Sequence, residues 1–327
     1  MTVIVVGLGS MGKRRIRLLG KIDNSIQIIG VDSNSERADS VSKELDIITA
    51  LSIKEAVEKY NPSAGIVCTS PLSHQSIIEE LLEYNLHVFT EINLVNNGYH
   101  LLIERANAKH LNLFLSSTFL YRKDIQYIIE RTAQTRKPVS YLYHTGQYLP
   151  DWHPWESYKN FFVADKRTNG CREILTIELP WIIKCFGKIK KIHVIRTNTT
   201  NLDLNYEDTY MIQIEHVDGN VGLLAVDVAS RVARRSLELY NEDLQIFWDG
   251  RPDSLKEYNV DNNTIEKVET YDSVDKDNRY AANIIENAYE DELYAFINWI
   301  KNNDGSGVRY TFEDDIDTLK WIDEIEK

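Results

Sequence analysis

Gly7, Gly9 and Gly12 follow a short apolar run in TVIVVGLGSMG, at spacings of two and three residues. That pattern suits the handling of a pyrophosphate. Gly7 allows a tight turn, Gly9 lets the backbone come close to phosphate, and Gly12 lets a helix pack tightly on a strand. Leu8, Ser10 and Met11 fill the loop, whose backbone N–H groups and positive helix end face an anion. Asp32 stands 20 residues beyond Gly12, at the end of a second apolar run, SIQIIGVD. A carboxylate there accepts hydrogen bonds from a ribose diol and repels a 2′-phosphate. The expected cofactor is therefore NAD(H). NADP(H) stays open as the alternative, because Ser33 could accept a 2′-phosphate and Arg37 lies one helical turn beyond.

Glycine spacing alone is a weak signal, so the surrounding elements must support it. Residues 10–22 place Met11, Arg15, Ile16, Leu19 and Ile22 at helical spacing. Further helices are expected over residues 34–45, at Ile53–Tyr60, from a Ser73 cap to about Asn85, and over residues 97–109. Apolar runs AGIVCTS, LHVFTE and LNLFLSS lie between them. Strands alternating with helices predict a doubly wound parallel sheet, a Rossmann domain over residues 1–119. The rhythm then changes. A helix near residues 122–135, a strand at residues 139–147 and a loop rich in aromatic and charged residues lead to a helix near residues 171–186. Strand-like runs follow near residues 189–197, 208–217, 220–229, 235–240 and 244–248, with Asp218-Gly219-Asn220 as a hairpin turn. No helices separate them, so residues 120–327 read as an α+β domain with a large open antiparallel sheet. Residues 250–285 read as irregular loops, and two helices are expected near residues 288–302 and 312–326.

Charge and cysteine content narrow the function. Against 37 basic side chains stand 50 acidic ones, a net charge of −13, which disfavours nucleic acid as a partner. Lys13-Arg14-Arg15 is the one basic run by the glycine loop and reads as the outer face of the first helix. Three cysteines without paired spacing fit neither a disulfide framework nor a metal site, so buried thiols and no metal are expected. Neither a signal peptide nor a membrane-spanning run is visible, so a cytoplasmic protein is expected.

Four stretches resemble the glucose-fructose oxidoreductase / inositol dehydrogenase (Gfo/Idh/MocA) family. They are GLGSMGKRRIRLL, CTSPLSH at residues 68–74, FTEINL at residues 89–94, and YLPDWHPWESYKNFF followed by NGCREILTIELPWIIKCFG. The resemblance implies the two-domain architecture above and hydride transfer between a nicotinamide and a hydroxyl of a sugar, nucleotide sugar or cyclitol, with surface-polysaccharide biosynthesis as one setting. It implies a homodimer or homotetramer built through the open sheet. By position, Thr69, Ser70, Pro71 and His74 would line the adenine and ribose side, and Glu91 would lie near the nicotinamide. Trp152, His153, Tyr158, Lys166 and Arg167 would face the substrate, the two cations suiting an anionic group.

The pattern breaks at two places. The family's Glu-Lys-Pro segment reads Glu91-Ile92-Asn93, and the position of its helix histidine is Ile177. Isoleucine moves no proton, yet alcohol oxidation needs a base and the reverse an acid. Glu173, at i,i+4 from Ile177, is the side chain aimed most nearly at that position, and Glu91 is a second candidate. Glu178, about 100° further round the helix, is expected to face elsewhere. An alternative reading is a cofactor- or nucleotide-sugar-binding protein on the same fold that has lost redox catalysis.

Overall fold

The computed structural model describes residues 1–276 and 284–327. It divides into two compact units, residues 1–118 with 289–317, and residues 119–288 with 318–327. Residues 289–317, expected with the second domain, group with the first.

The first unit opens with β1 (Thr2–Val6), α1 (Ser10–Ile22), β2 (Gln27–Val31), α2 (Ser35–Leu45), β3 (Ile48–Ala50) and α3 (Ile53–Tyr60). It continues with β4 (Ala64–Val67), α4 (His74–Glu83), β5 (His87–Thr90), α5 (Tyr99–Ala108) and β6 (Leu113–Leu115). All strand pairs are parallel, in the order β3-β2-β1-β4-β5-β6. Val3 to Val6 are all buried, as expected for a strand covered on both faces. Val6 pairs with Val31 on one side and Val67 on the other, so β1, β2 and β4 end level. Their carboxyl ends carry the glycine loop, Asp32 and the 68–74 segment. The order of connection reverses between β1 and β4, where ligands bind in such sheets. Strand β3, with three residues, is absent from the sequence reading because it is too short to show a period.

Local capping explains several helix starts. Ser52 accepts the Glu55 N–H while the Glu55 carboxylate accepts the Leu51 N–H, a shifted capping box. Asn34 accepts the Arg37 N–H at the start of α2. The cap expected at Ser73 does not form; its hydroxyl donates to the Ser70 carbonyl and to Thr69 Oγ1.

The second unit contains α6 (Lys123–Gln134), β7 (Ser140–Gly146), α7 (Gly170–Phe186), β8 (Ile189–Thr197), β9 (Thr209–His216), β10 (Val221–Asp227), β11 (Arg234–Tyr240) and β12 (Gln245–Trp248). Two further strands, β13 (Lys256–Asn259) and β14 (Thr264–Lys267), form a hairpin on its edge, where irregular loops are expected from sequence. The hairpin hides from a burial pattern because β14 is exposed along its length. The helices α8 (Glu286–Asn302) and α9 (Phe312–Glu326) follow. Residues 277–283, within the stretch read as irregular, lie outside the described residues.

The sheet runs β14-β13-β12-β11-β7-β10-β9-β8. It is the large, mostly antiparallel sheet expected from sequence, with β7 beside β10 as its one parallel pair among the described residues. The reason is the return path. After β7 the chain crosses through α7, then β8, β9 and β10 run as a meander that brings β10 back alongside β7 in the same direction. One face lies under α7, whose Leu175, Leu179, Trp181, Ile182 and Phe186 are buried. The opposite face leaves Leu142, Ile195, Met211 and Leu223 exposed. Among the described residues no helix is long and apolar enough to cross a membrane.

Candidate active site

The turn after β1 depends on close contacts that glycine permits at Gly7 and Gly12. Gly7 has φ +91°, and a β-carbon on it would lie 2.7 Å from the Cys68 carbonyl oxygen. One on Gly12 would stand 2.0 Å from the Gly7 carbonyl oxygen, so α1 rests directly on the turn. A β-carbon on Gly9 would meet nothing within 4 Å. The space it would fill lies at the N-cap of α1, where unpaired N–H groups and the helix dipole attract phosphate. Ser10 is exposed there and Met11 half-buried, whereas the Leu8 side chain is buried and only its backbone serves the loop. These residues fit a dinucleotide.

Asp32 ties this loop to the end of β2. Its Oδ2 accepts the Leu8 N–H at 3.0 Å, and its Oδ1 accepts the Asn34 N–H at 2.9 Å. Arg37 also reaches Oδ2, at 3.2 Å, while Ser33 is exposed beside it. Arg37 thus offsets part of the carboxylate charge expected to repel a 2′-phosphate. Asp32→Ala should weaken NADH binding about tenfold or more, the worth of a charge-assisted hydrogen bond, and leave NADPH bound equally well or better. Fluorescence titration of both cofactors checks this; an unchanged ratio of the two dissociation constants would contradict it.

Behind the 68–74 segment lies His74, buried rather than facing the cofactor. Burial lowers its pKa, so the neutral ring donates from Nε2 to the Thr69 carbonyl at 3.0 Å. Asn93 Oδ1 stands 2.7 Å from Nδ1 and Thr90 Oγ1 3.3 Å from it. His74 thus braces the loop from behind. Thr69 and Ser70 remain at the surface, while Pro71 is buried.

Glu91 is occupied by an ion pair that sequence reasoning missed. Its Oε1 accepts from Arg15 Nε at 2.6 Å, and Arg15 Nη2 donates to Glu292 at 2.8 Å. Arg15 and Arg14 are buried, which overturns their reading as an outer helix face. Burial by itself would lower the Arg15 pKa, but the two carboxylates hold it above the ordinary value. Glu292 also receives the Ser117 N–H at 2.7 Å and the hydroxyls of Ser116 and Thr118. Glu91 is thereby tied into the ion-pair network of the first unit through Oε1.

In the second unit, Asn169 caps α7 by accepting the Arg172 N–H at 2.8 Å. Arg172 in turn pairs with Asp323 and Glu326 of α9. Glu173 and Ile177 are both half-buried in a helix otherwise buried from Gly170 to Ile182. Glu173 Oε2 is buried with no hydrogen-bond partner among the described residues, and burial pushes the carboxyl pKa up to about 8. Glu178 does face elsewhere. Its buried carboxylate accepts from Tyr143 Oη and Trp181 Nε1, both at 2.7 Å, and from Arg235 Nε at 2.8 Å.

The loop before α7, expected from sequence to face the substrate, runs through four short helical turns. Trp152 donates to the Gln147 carbonyl at 3.1 Å. A β-carbon on Gly170 would lie 3.0 Å from Val228, 3.1 Å from Leu149 and 3.6 Å from the Trp152 ring, so Trp152 sits against the first turn of α7. His153 instead stacks on Trp155 and Phe161 and bonds Glu156 at 3.0 Å. Tyr158 Oη accepts the Asp203 N–H at 3.3 Å. Arg167, expected to bind an anion, is closed by a two-pronged pair with Asp165, whereas Lys166 is exposed. The three cysteines are free and buried. No metal-binding cluster of His, Cys, Asp or Glu occurs among the described residues.

A doubly wound parallel sheet, a glycine loop on its switch point and an acid at the end of β2 define a dinucleotide-binding Rossmann domain. Residues 1–105 match the GFO_IDH_MocA family model, described as an oxidoreductase family with an NAD-binding Rossmann fold. The resemblance read from the glycine loop therefore holds. Solved structures extend the likeness of fold to the whole chain. UDP-N-acetylglucosamine 3-dehydrogenase GnnA from Acidithiobacillus ferrooxidans superposes with a TM-score of 0.75 at 17% identity, covering 99% of this chain and 96% of that one. Levoglucosan dehydrogenase, solved with NADH and levoglucosan, gives 0.78 at 14% identity, covering 100% and 96%. An oxidoreductase from Agrobacterium radiobacter, solved with NAD+, L-tartaric acid and magnesium, gives 0.77 at 13% identity, covering 99% and 94%. No curated protein matches the chain.

Proposed function

We propose that the protein is an NAD(H)-dependent oxidoreductase that moves a hydride to or from a hydroxyl-bearing carbon of a sugar, nucleotide sugar or cyclitol, with Glu173 handling the proton. The observation that carries this reading is the Glu173 carboxyl, buried, unpartnered at Oε2 and with a pKa near 8. Such a group is largely protonated at neutral pH and lies near the optimum for general acid–base work. The glycine loop and Asp32 hold the dinucleotide, and the bound nicotinamide supplies the hydride acceptor or donor. In oxidation the alcohol's O–H proton passes to the ionised Glu173 as its C–H bond yields a hydride. In reduction the protonated carboxyl gives its proton to the forming alkoxide. Trp152, against the same helical turn, offers a flat apolar wall for a sugar ring. Ile92 and Ile177 offer no proton chemistry, and Glu173 is the acid–base group assigned in this reading.

The test follows absorbance at 340 nm in both directions with purified protein and panels of sugars, nucleotide sugars and cyclitols. Cofactor binding is read in parallel by NADH fluorescence. Turnover with at least one class supports the reading. Tight NADH binding with no turnover in any class sinks it and favours the binding-only alternative.

The open sheet face is proposed to be covered by a second copy of the chain. Leu142, Ile195, Met211 and Leu223 project from four neighbouring strands and are 43–61% exposed, and apolar faces of this kind mark interfaces. Leu223→Glu, at the centre of the patch, should convert an oligomer into monomers without lowering the melting temperature of the monomer. Light scattering after size exclusion checks it; a monomeric native protein overturns the proposal.

A further inference from the structure

We propose that Arg231 is an anchor for an oxyanion carried by the substrate, a phosphoryl or carboxylate group on the sugar. The proposal rests on the reading of the second unit as the substrate side. Arg231 lies in the connection after β10, and that connection is pinned. Asp227 Oδ1 accepts the N–H groups of Ala229 and Ser230 at 2.9 and 2.6 Å, and its Oδ2 accepts the Ser230 hydroxyl at 3.0 Å. The pinned segment is joined to the start of the substrate-side loop. Tyr148 N–H donates to the Ser230 carbonyl at 2.6 Å and Leu149 N–H to the Val228 carbonyl at 3.0 Å.

On this support the Arg231 guanidinium lies over the Tyr148 ring, 3.6 Å from its centroid. Stacking fixes the plane of the fork at little entropic cost and leaves its N–H edge free for a planar or tetrahedral anion. The side chain is exposed and has no carboxylate partner among the described residues, in a chain of net charge −13. Arg167, the arginine expected from sequence to bind an anion, is instead closed by Asp165. Val228 and Leu149, the residues that tie the two segments, both touch the start of α7 at Gly170, one turn from Glu173. A preorganised, uncompensated cation therefore stands on the same framework as the proposed proton handler.

The experiment titrates UDP, glucuronate and neutral glucose into the NADH-loaded native protein and its R231Q and R231K variants by calorimetry. UDP and glucuronate separate a phosphoryl from a carboxylate source. The proposal expects at least one of the two anions to bind more tightly than glucose. R231Q should weaken that anion tenfold or more, R231K should weaken it less, and the NADH affinity should stay unchanged. Equal binding by native protein and R231Q, or no binding of either anion, overturns it. Turnover of neutral sugars with unaltered KM in R231Q also overturns it while leaving the oxidoreductase reading intact. Arg231-dependent anion binding without any turnover supports the anchor and counts against the redox reading alone.

Discussion

Arg15→Met should destabilise the first domain by roughly 3–5 kcal/mol, the cost of leaving buried charge without its partner. Glu292 is fully buried and Glu91 nearly so, and Arg15 is the cation that both carboxylates contact. Desolvation already raises the Glu292 pKa, with Arg15 opposing that rise. Removing the arginine should drive Glu292 to take up a proton, so the variant loses stability more steeply as pH increases. The sign follows from linkage: a carboxyl whose folded pKa lies above its unfolded value costs stability progressively above the unfolded value. Pairing the change with Glu292→Gln removes one orphaned charge and should recover part of the loss. Urea midpoints of the native, single and double variants decide the matter. A single variant within about 1 kcal/mol of native would mean the network behaves like a solvated surface pair.

Glu173→Gln should lower turnover by roughly 10²–10⁴-fold, the usual contribution of a positioned acid–base group, and should stabilise the fold at neutral pH. The two effects share one cause. Glu173 titrates at about 8 in the folded chain, against an ordinary carboxyl value of 4.5. The folded state therefore pays nothing at low pH, an increasing penalty as pH rises from the ordinary value, and the full penalty above about 8. Glutamine has no such titration, so its advantage in melting temperature should grow over that interval and then level off. Native oxidation should rise with pH through the same region, and reduction should fall. Loss of activity together with loss of stability would instead identify Glu173 as a structural side chain.

Much of the first domain was legible because its signals are local. The glycine spacing, the acid after the second strand and the alternation of periods all lie within 32 residues and recur in the structure. Arg15 shows where local signals conflict. Its position groups it with Ile16 and Leu19, which face inward, while its charge argued for solvent. Position prevailed because Glu91 and Glu292, 76 and 277 residues away, supply the counter-charges. Nothing in a short window reveals partners so distant. Glu178 is a similar case, although Trp181 at i+3 is a faint hint of its inward path. On the substrate side, residue types suggested anion binding at Arg167, yet Asp165 two residues earlier satisfies it. Arg231, in an unremarkable SRVARR segment, became visible only when the Tyr148 ring appeared beneath it. Glu173 was legible from helical phase; its buried, unpartnered oxygen was not.

The pairing of Arg15 with Glu292 also sets an order of events during synthesis. The glycine loop and its sheet leave the ribosome early, but the arginine behind them waits for a carboxylate 277 residues downstream. Until then the nascent Rossmann domain carries a buried cation with only Glu91 to meet it, and the surface that receives Phe296 on Phe89 and Phe114 stays open. The domain translated first is thus among the last to be completed. A chain stalled before residue 289 should present a sheet that is protease-sensitive and recognised by chaperones, although every strand of it has already been made.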